Sequence, residues 1–143
     1  WEELCHFNLE KQLKKGYTKF GIIFNLDPHD KGGVIGSPYS SILKKIDFYF
    51  DSAGENVPAQ IKKFADKVAK QAQDLPQPIH LTFDLNYPVE HQYGNTECGV
   101  YSIFFIIHML EDKITAHYLK THILKDKYIE RFRKVYFNGH GDT

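Results

Sequence analysis

The sequence predicts an α+β fold, because short apolar strand segments fill its first half and helical segments dominate its end. Its 143 residues match the length of one domain. The 18 basic and 18 acidic residues cancel, which removes the positive charge typical of nucleic-acid-binding domains. Two cysteines are too few for a disulfide framework and indicate a reducing, cytoplasmic location.

The predicted strands are short apolar or aromatic segments that end at turn residues. The first ends before Asp27-Pro28, and the second ends before Ser52-Ala53-Gly54. The predicted strands cover residues 19–26, 45–51 and 79–85. Between the first two, residues 39–43 lack the alternation of apolar and polar residues that a core strand shows, so we expect no core strand there.

Four helices are predicted from periodicity and from apolar length. Residues 58–75 place apolar side chains at spacings of three and four, with Lys and Asp on the other face. The uniformly apolar segment 99–111 predicts a buried helix, and 115–124 and 126–136 predict two amphipathic helices. The longest apolar stretch is about half of the ~20 residues that a membrane span needs, so no membrane partner is expected.

Cys98 is the candidate nucleophile, since it lies between a loop and the predicted buried helix. A thiol at a helix N-terminus meets the positive end of the helix dipole, which favours the reactive thiolate. Gly99 beside it leaves room for a substrate backbone. The alternative is a buried cysteine that packs as a small hydrophobic residue, as we expect for Cys5.

Two motifs stand at the candidate nucleophile and at the end of the second predicted strand. The first is Gln92-Tyr-Gly-Asn-Thr-Glu-Cys98-Gly-Val-Tyr, and the second is Tyr49-Phe-Asp-Ser-Ala-Gly54. They resemble the Q-x-N-x-x-[DE]-C-G-[VI]-Y motif and the Y-[YF]-D-S-x-G segment of the SUMO-deconjugating and adenovirus-type cysteine proteases. The resemblance extends over residues 19–137. It implies a papain-like core with a mixed central sheet flanked by helices and the nucleophile at a helix N-terminus. It also implies that residues 1–143 form one catalytic core, which lacks an N-terminal segment.

The resemblance also assigns catalytic roles by position. It makes Cys98 the nucleophile, Asp51 the residue that orients a histidine, and Gln92 the side-chain donor of the oxyanion hole. The backbone N–H of Cys98 would be the second donor. These roles suit the chemistry, because a developing oxyanion needs fixed donors and a carboxylate fixes the imidazole tautomer. The alternative for Asp51 is a turn-forming residue without a catalytic role.

The family's His-Trp motif is absent from this sequence. The corresponding stretch, residues 32–43, has Ile35 near the place where the histidine is expected, so the thiol lacks its general base. His29 and His91 are weak substitutes. A second hypothesis is a local frameshift, because one possible coding sequence for residues 34–39 encodes His-Trp-Val-Ser-Leu in another frame. No pair of histidines has a spacing that predicts a metal site.

The candidate nucleophile predicts a thiol-dependent enzyme, and the resemblance implies a cysteine endopeptidase that cleaves viral polyproteins or ubiquitin-like precursors after Gly-Gly-type sites. The missing histidine leaves an inactive peptide-binding or scaffold module as the main alternative. A cysteine-dependent acetyltransferase is the third, and it would need a cofactor site for which the sequence gives no signal. We expect no cofactor, a peptide, polyprotein or ubiquitin-like partner, no nucleic acid, and a location in the cytoplasm or, for a viral protein, in the host cytoplasm or virion.

Overall fold

The computed structural model describes residues 6–25, 35–94 and 98–137. It contains a five-stranded mixed sheet with helices against it, which confirms the predicted α+β class. None of the helices described has the length and apolar character needed to cross a membrane.

The sheet is built around two long antiparallel strands. In chain order the strands are β1 (Lys19–Gly21), β2 (Phe24–Asn25), β3 (Ile35–Ser41), β4 (Ile46–Asp51) and β5 (Thr82–Leu85). β1 and β2 pair with successive parts of one edge of β3, whose other edge pairs with β4. β5 lies parallel to β4 and closes the order β1-β3-β4-β5. The carboxyl end of β4 therefore lies beside the beginning of β3.

Five helices lie in the described part of the chain, and they pack with the sheet in two buried clusters. They are α1 (Leu9–Lys14), α2 (Ala59–Gln73), α3 (Cys98–Leu110), α4 (Ala116–Thr121) and α5 (Asp126–Phe137). Phe48, Phe50 and Tyr39 of the sheet pack with Phe104 and Phe105 of α3 in one buried cluster. A second cluster joins α1 and α2 to the sheet through Leu9, Ile42, Phe64, Val68, Ala72, Leu75 and Leu81.

Helix α1 was not predicted, although its boundaries have sequence signals. Asn8 caps its start by accepting a hydrogen bond from the Lys11 N–H at 3.0 Å. Gly16, with φ of 91°, follows its end, in a conformation that glycine adopts without a steric penalty. The helix is only six residues long, and its tertiary contact with α2 through Leu9 stabilises it more than its own propensity does.

The expectation that residues 39–43 form no core strand is wrong, because residues 35–41 form β3, which has partners on both edges. Ser37, Ser40 and Ser41 are buried on this strand, and Pro38 pairs with Tyr49. Backbone hydrogen bonds to both neighbours hold a strand whatever its side-chain pattern, so pairing overrides the weak β-propensity of glycine, serine and proline here.

Three other predicted elements are longer than the elements in the structure. The strand predicted over 19–26 is divided between β1 and β2, and the strand predicted over 79–85 begins only at Thr82. The Ile79 N–H donates to Ala72 O at 2.9 Å, so that segment is still bonded to the end of α2. The helix predicted over 115–124 ends at Thr121, which leaves the backbone groups of Leu124 available for other partners.

Candidate active site

Asp51 ends β4 as a buried carboxylate with one oxygen bonded and one free. Its Oδ1 accepts the Ala53 N–H at 2.8 Å, and its Oδ2 has no hydrogen-bond partner among the described residues. Only 3% of the residue is exposed. Burial raises the pKa of Asp51 to about 6, and nearby Glu55 adds to the rise while the Ala53 N–H opposes it. The free oxygen can accept an N–H from an imidazole.

Asn86 fixes the backbone at Asp51, and the sequence analysis did not identify it. Its Oδ1 accepts the Asp51 N–H at 2.8 Å, and its Nδ2 donates to Asp51 O at 2.7 Å and to Val89 O at 2.9 Å. The amide side chain is buried. Because it bonds to both backbone groups of Asp51, it continues the pairing between β4 and β5 beyond the end of β5. Asn86 is therefore a positioning residue for the Asp51 carboxylate.

Ser52 connects the end of β4 to the segment that carries Gln92. Its carbonyl oxygen accepts the N–H groups of His91 and Gln92, both at 2.8 Å. Its hydroxyl donates to Gln92 Oε1 at 2.6 Å, which directs the amide oxygen toward Ser52. The Gln92 Nε2 group is buried and has no hydrogen-bond partner among the described residues. A fixed buried N–H donor without a partner is the kind of group an oxyanion hole needs.

The turn after Asp51 packs closely against residues 89–90. Gly54 has φ of 74°, and a Cβ added to it would meet three backbone atoms of Val89 and Glu90, each at 2.9 Å. A side chain at this position would separate the Asp51 turn from the segment that leads to Gln92. Glycine at position 54 is thus required both by conformation and by space.

Gly54→Ala is expected to lower the free energy of unfolding by about 2–4 kcal/mol, through left-handed strain and backbone overlap. Gly16→Ala is the matched control, because Gly16 has φ of 91° and no atom of the described residues lies within 4 Å of an added Cβ. It should lose only the strain, about 1–2 kcal/mol. Urea denaturation of both variants measures the difference. Equal losses would contradict the close packing of this turn.

Cys98 is the first residue of α3 and has a free, partly exposed thiol. One turn later, Tyr101 Oη lies 2.6 Å from Leu124 O, 2.8 Å from Asp126 Oδ1 and 3.1 Å from His91 O. This buried hydroxyl joins the start of α3 to the residue before Gln92 and to the start of α5. The predicted helix position of the cysteine is confirmed.

Asp126 holds the other end of the loop before Cys98. Its Oδ2 accepts the N–H of Tyr93 at 3.1 Å and the N–H of Gly94 at 2.9 Å. The segment 91–94 is therefore bonded to Ser52 at one end and to α5 at the other. These contacts join the carboxyl end of β4 and the first turn of α3 to the same segment. Asp51, Gln92 and Cys98 therefore lie on connected elements. The sequence analysis did not identify Ser52, Tyr101 or Asp126.

His91 has backbone partners at both ring nitrogens, so the structure does not support the hypothesis that it replaces the missing base. Its Nδ1 accepts the Leu124 N–H at 2.9 Å, and its Nε2 lies 2.9 Å from Leu119 O, to which it donates. The ring is fully buried, and burial lowers its pKa, so the neutral form is favoured. Both ring nitrogens are therefore occupied by backbone groups, and neither is available to a thiol.

The position directly opposite Asp51 on β3 is Gly36. Directly opposed residues of antiparallel strands have Cβ atoms about 4.5–5.5 Å apart, so a side chain there could reach the Asp51 carboxylate. The buried Tyr49 hydroxyl, which has no partner among the described residues, occupies the place where a Cβ on Gly36 would lie. No side chain from this strand position contacts Asp51 in the present sequence.

The structure describes only some of the remaining histidines, and those that it describes belong to no group placed to hold a metal ion. His29 lies outside the described residues. His108 is held on α3 by a 2.8 Å hydrogen bond from Nδ1 to Phe104 O, as expected for a core histidine. Within residues 6–25, 35–94 and 98–137, no group of three or more His, Cys, Asp or Glu side chains is placed to hold a metal ion.

Comparison of sequences finds viral cysteine proteases. The SUMO-1 cysteine protease S273R of African swine fever virus (isolate Pig/Kenya/KEN-50/1950) is 30% identical over 89 residues, which are 62% of this chain and 32% of the relative. R355 of Acanthamoeba polyphaga mimivirus, which carries the name of a thiol protease, is 29% identical over 141 residues, 95% of this chain and 44% of the relative. The chain thus spans a third to under half of these relatives. No protein-family model matches it.

Comparison of structures gives the same fold. The African swine fever virus pS273R protease superposes with a TM-score of 0.72 at 24% identity, over 81% of this chain and 43% of that chain. The SUMO protease Ulp1 superposes with a TM-score of 0.59 at 16% identity, over 94% of this chain and 55% of that chain. The predicted protease fold, with its mixed sheet and the cysteine at a helix N-terminus, is confirmed, and so is the resemblance to viral and SUMO-type cysteine proteases.

Proposed function

We propose that this chain is the catalytic core of a cysteine endopeptidase, with Cys98 as nucleophile. The observation that carries the proposal is a pair of buried, unpartnered groups, one at the end of β4 and one in the segment 91–94 that precedes Cys98, which Ser52 joins by hydrogen bonds. Asp51 Oδ2 and Gln92 Nε2 are both buried without hydrogen bonds among the described residues. Leaving such groups unpaired costs about 1–3 kcal/mol each, so their retention favours a role in binding a substrate or an imidazole.

The reaction follows from these groups. The Cys98 thiolate attacks a peptide carbonyl carbon and forms a tetrahedral intermediate, whose oxyanion accepts N–H groups from Gln92 and from the Cys98 backbone. An imidazole oriented by Asp51 removes the thiol proton and gives it to the leaving amine. The resulting thioester is hydrolysed when the same imidazole takes a proton from water, which restores the thiol and releases the acid.

The imidazole that this reaction needs is assigned to the segment 26–34, which contains His29. β2 ends at Asn25 and β3 begins at Ile35, and these two residues pair with each other. Gly36, the next residue of β3, pairs with Asp51. Asn25 and Ile35, the described residues that flank the segment, therefore lie at the Asp51 end of the sheet, which supports His29 over the other histidines.

The substrate class is a polypeptide, and we propose cleavage after small residues of a viral polyprotein or a ubiquitin-like precursor. The names of the relatives, a SUMO-1 cysteine protease and the SUMO protease Ulp1, support this class. Gly99 beside Cys98 supports a narrow approach to the thiol. The viral sources of the sequence relatives support a viral origin for this chain, and on that basis we propose a location in the host cytoplasm or the virion.

A peptide aldehyde or vinyl sulfone ending in Gly-Gly is expected to label the protein at neutral pH, and Cys98→Ala should abolish labelling. Cys5→Ala is the matched control, since it removes the other cysteine of the chain and should leave labelling unchanged. Intact-protein mass spectrometry measures the adduct. Equal labelling of Cys98→Ala and wild type would show that the reaction is not at Cys98 and would contradict the proposal.

An inactive peptide-binding module is the second candidate, because no histidine bonds to Asp51 in the described part of the chain. The two candidates differ in the same experiment. The protease requires labelling that is lost in His29→Gln as well as in Cys98→Ala, whereas the inactive module binds the peptide without forming an adduct. Labelling that persists in His29→Gln would contradict the assignment of the base to that residue.

A further inference from the structure

A groove of about 600 Å³ lies along the C-terminal half of α3, away from Cys98. Phe104, which is almost fully buried, lines it together with the partly exposed side chains of Tyr118, Ile123 and Tyr128. The three partly exposed side chains leave 39%, 46% and 43% of their surface open. The volume falls within the roughly 300–1,000 Å³ that is typical of ligand sites.

The aromatic walls of the groove are held by contacts within the protein. Tyr118 stacks on His122 with ring centroids 4.4 Å apart and planes within 4°. Tyr128 meets Phe104 edge-on at 5.8 Å and Phe132 at 5.4 Å. Because these contacts fix the rings in place, the groove needs little rearrangement to accept a further aromatic ring, which would add edge or stacking contacts worth about 0.5–1.5 kcal/mol each.

The groove carries positive charge although the chain as a whole is neutral. Lys113 and Lys125 line it, and no carboxylate is among its described lining residues. Lys113 Nζ has a loose, exposed contact with Glu111 at 3.6 Å. The two lysines stand on different connections, Lys113 before α4 and Lys125 before α5. The groove is therefore complementary to negative charge at two separate points.

We propose that this groove binds a peptide segment of a partner polypeptide that has one aromatic anchor between acidic residues. The anchor would lie against Phe104 and the two tyrosines, and acidic side chains on its two sides would pair with Lys113 and Lys125. A single small anion would satisfy one lysine and leave the aromatic walls uncovered. Binding here requires no catalysis, so the inference stands apart from the proposed peptidase function.

The groove is also connected to the loop that carries Gln92. Leu124 lines the groove, and its backbone groups bond to His91 and to Tyr101. The backbone amide of Leu124 therefore lies between the groove and the segment that carries Gln92, and its NMR signal should report whether the groove is occupied. A peptide in the groove should change its NMR shift together with those of residues 113–128.

The test is an NMR titration of ¹⁵N-labelled Cys98→Ala protein with the blocked peptide Asp-Glu-Phe-Glu-Asp. We expect shift changes centred on residues 113–128 and binding at least about tenfold weaker for Lys113→Glu/Lys125→Glu, since each charge reversal replaces an attraction by a repulsion. Lys127→Glu, an exposed charge of α5 outside the lining, is the matched control and should change the affinity less than about twofold.

Two further peptides separate the parts of the proposal. Replacing the phenylalanine with alanine should weaken binding about tenfold, because the anchor contacts are lost. Replacing the acidic residues with lysine should abolish binding. The proposal is overturned if the first peptide causes no shifts near the groove at millimolar concentration, if the lysine peptide binds equally well, or if the double charge reversal leaves the affinity unchanged.

Discussion

Gln92→Met is expected to lower kcat for hydrolysis of a Gly-Gly peptide substrate by about 100- to 1,000-fold, the usual effect of removing one oxyanion donor. Methionine fills nearly the same volume and carries no N–H group. The loss should fall on kcat rather than on KM, because the donor bonds to an oxygen whose negative charge develops only in the transition state. Steady-state kinetics on purified protein measures both constants.

The stability of the same variant shows whether its loss of activity is specific. Gln92 Nε2 is already unpartnered among the described residues, so the substitution removes one unsatisfied buried donor while it leaves the Ser52 hydroxyl without its acceptor. These effects oppose each other, and we expect a change in the free energy of unfolding of no more than about 1 kcal/mol. A folded Gln92→Met protein with kcat within threefold of wild type would contradict the oxyanion role.

Ser52→Ala provides a graded comparison. It keeps the Gln92 donor and removes the hydroxyl that directs the amide, so the amide is present but less well oriented. We expect a loss in kcat of about tenfold, smaller than for Gln92→Met. Ser52 is thus a positioning residue, and an effect equal to that of Gln92→Met would indicate that Ser52 itself binds substrate.

The elements that sequence could predict are those with long, regular patterns. Helices α2 and α3 and strand β4 were predicted to within two residues at each end. The apolar residues of α2 repeat with the helical period, whereas α3 and β4 are continuous apolar or aromatic-rich runs. The position of Cys98 at the start of α3 followed from the abrupt change from polar loop residues to a continuous apolar run. Such signals lie within one segment and need no tertiary contact.

The parts that sequence could not predict depend on contacts between distant segments. Asn86 is 35 residues from Asp51, and Asp126 is 32 residues from Gly94. Neither residue has a local pattern that marks it, because a lone Asn or Asp is common in turns and helix starts. The hydrogen bonds at both ring nitrogens of His91 likewise depend on the backbone groups of Leu119 and Leu124, which lie in a segment predicted to be helical.

Strand β3 is paired on both edges although its sequence, rich in glycine, proline and serine, has a low β-propensity. Its buried serines include Ser37, whose hydroxyl has no hydrogen-bond partner among the described residues. Gly36 pairs with Asp51 but has no side chain that could contact the Asp51 carboxylate. A core strand of glycine, proline and serine beside a carboxylate is what an out-of-frame segment would produce, so the frameshift hypothesis stays a prediction. Sequencing the gene across codons 32–43 tests it directly.

Asp51→Asn is expected to make the protein more stable by about 3 kcal/mol at pH 8 and to change its stability little at pH 3.5. The pKa of the buried Asp51 carboxyl is raised to about 6, while the ordinary value is 3.8. Between these values the folded chain holds a proton that the unfolded chain has lost, so stability falls as the pH rises through this window. It then stays constant above the folded pKa. Asparagine has no charge to bury and avoids this loss.

Asp47→Asn is the matched control, because burial also raises the pKa of Asp47 on the same strand to about 6. Asp47 is 4% exposed, bonds to Ser40 and lies near the opposite end of β4 from Asp51. Both variants should flatten the pH dependence of the unfolding free energy between pH 4 and 7, measured by urea denaturation. Only Asp51→Asn should also lower kcat, by about tenfold or more, since Asp51 lies at the end of β4 next to Ser52, which bonds to Gln92, and has a buried oxygen without a partner among the described residues. Equal kcat values in the two variants would remove Asp51 from the mechanism and leave it as a buried turn residue.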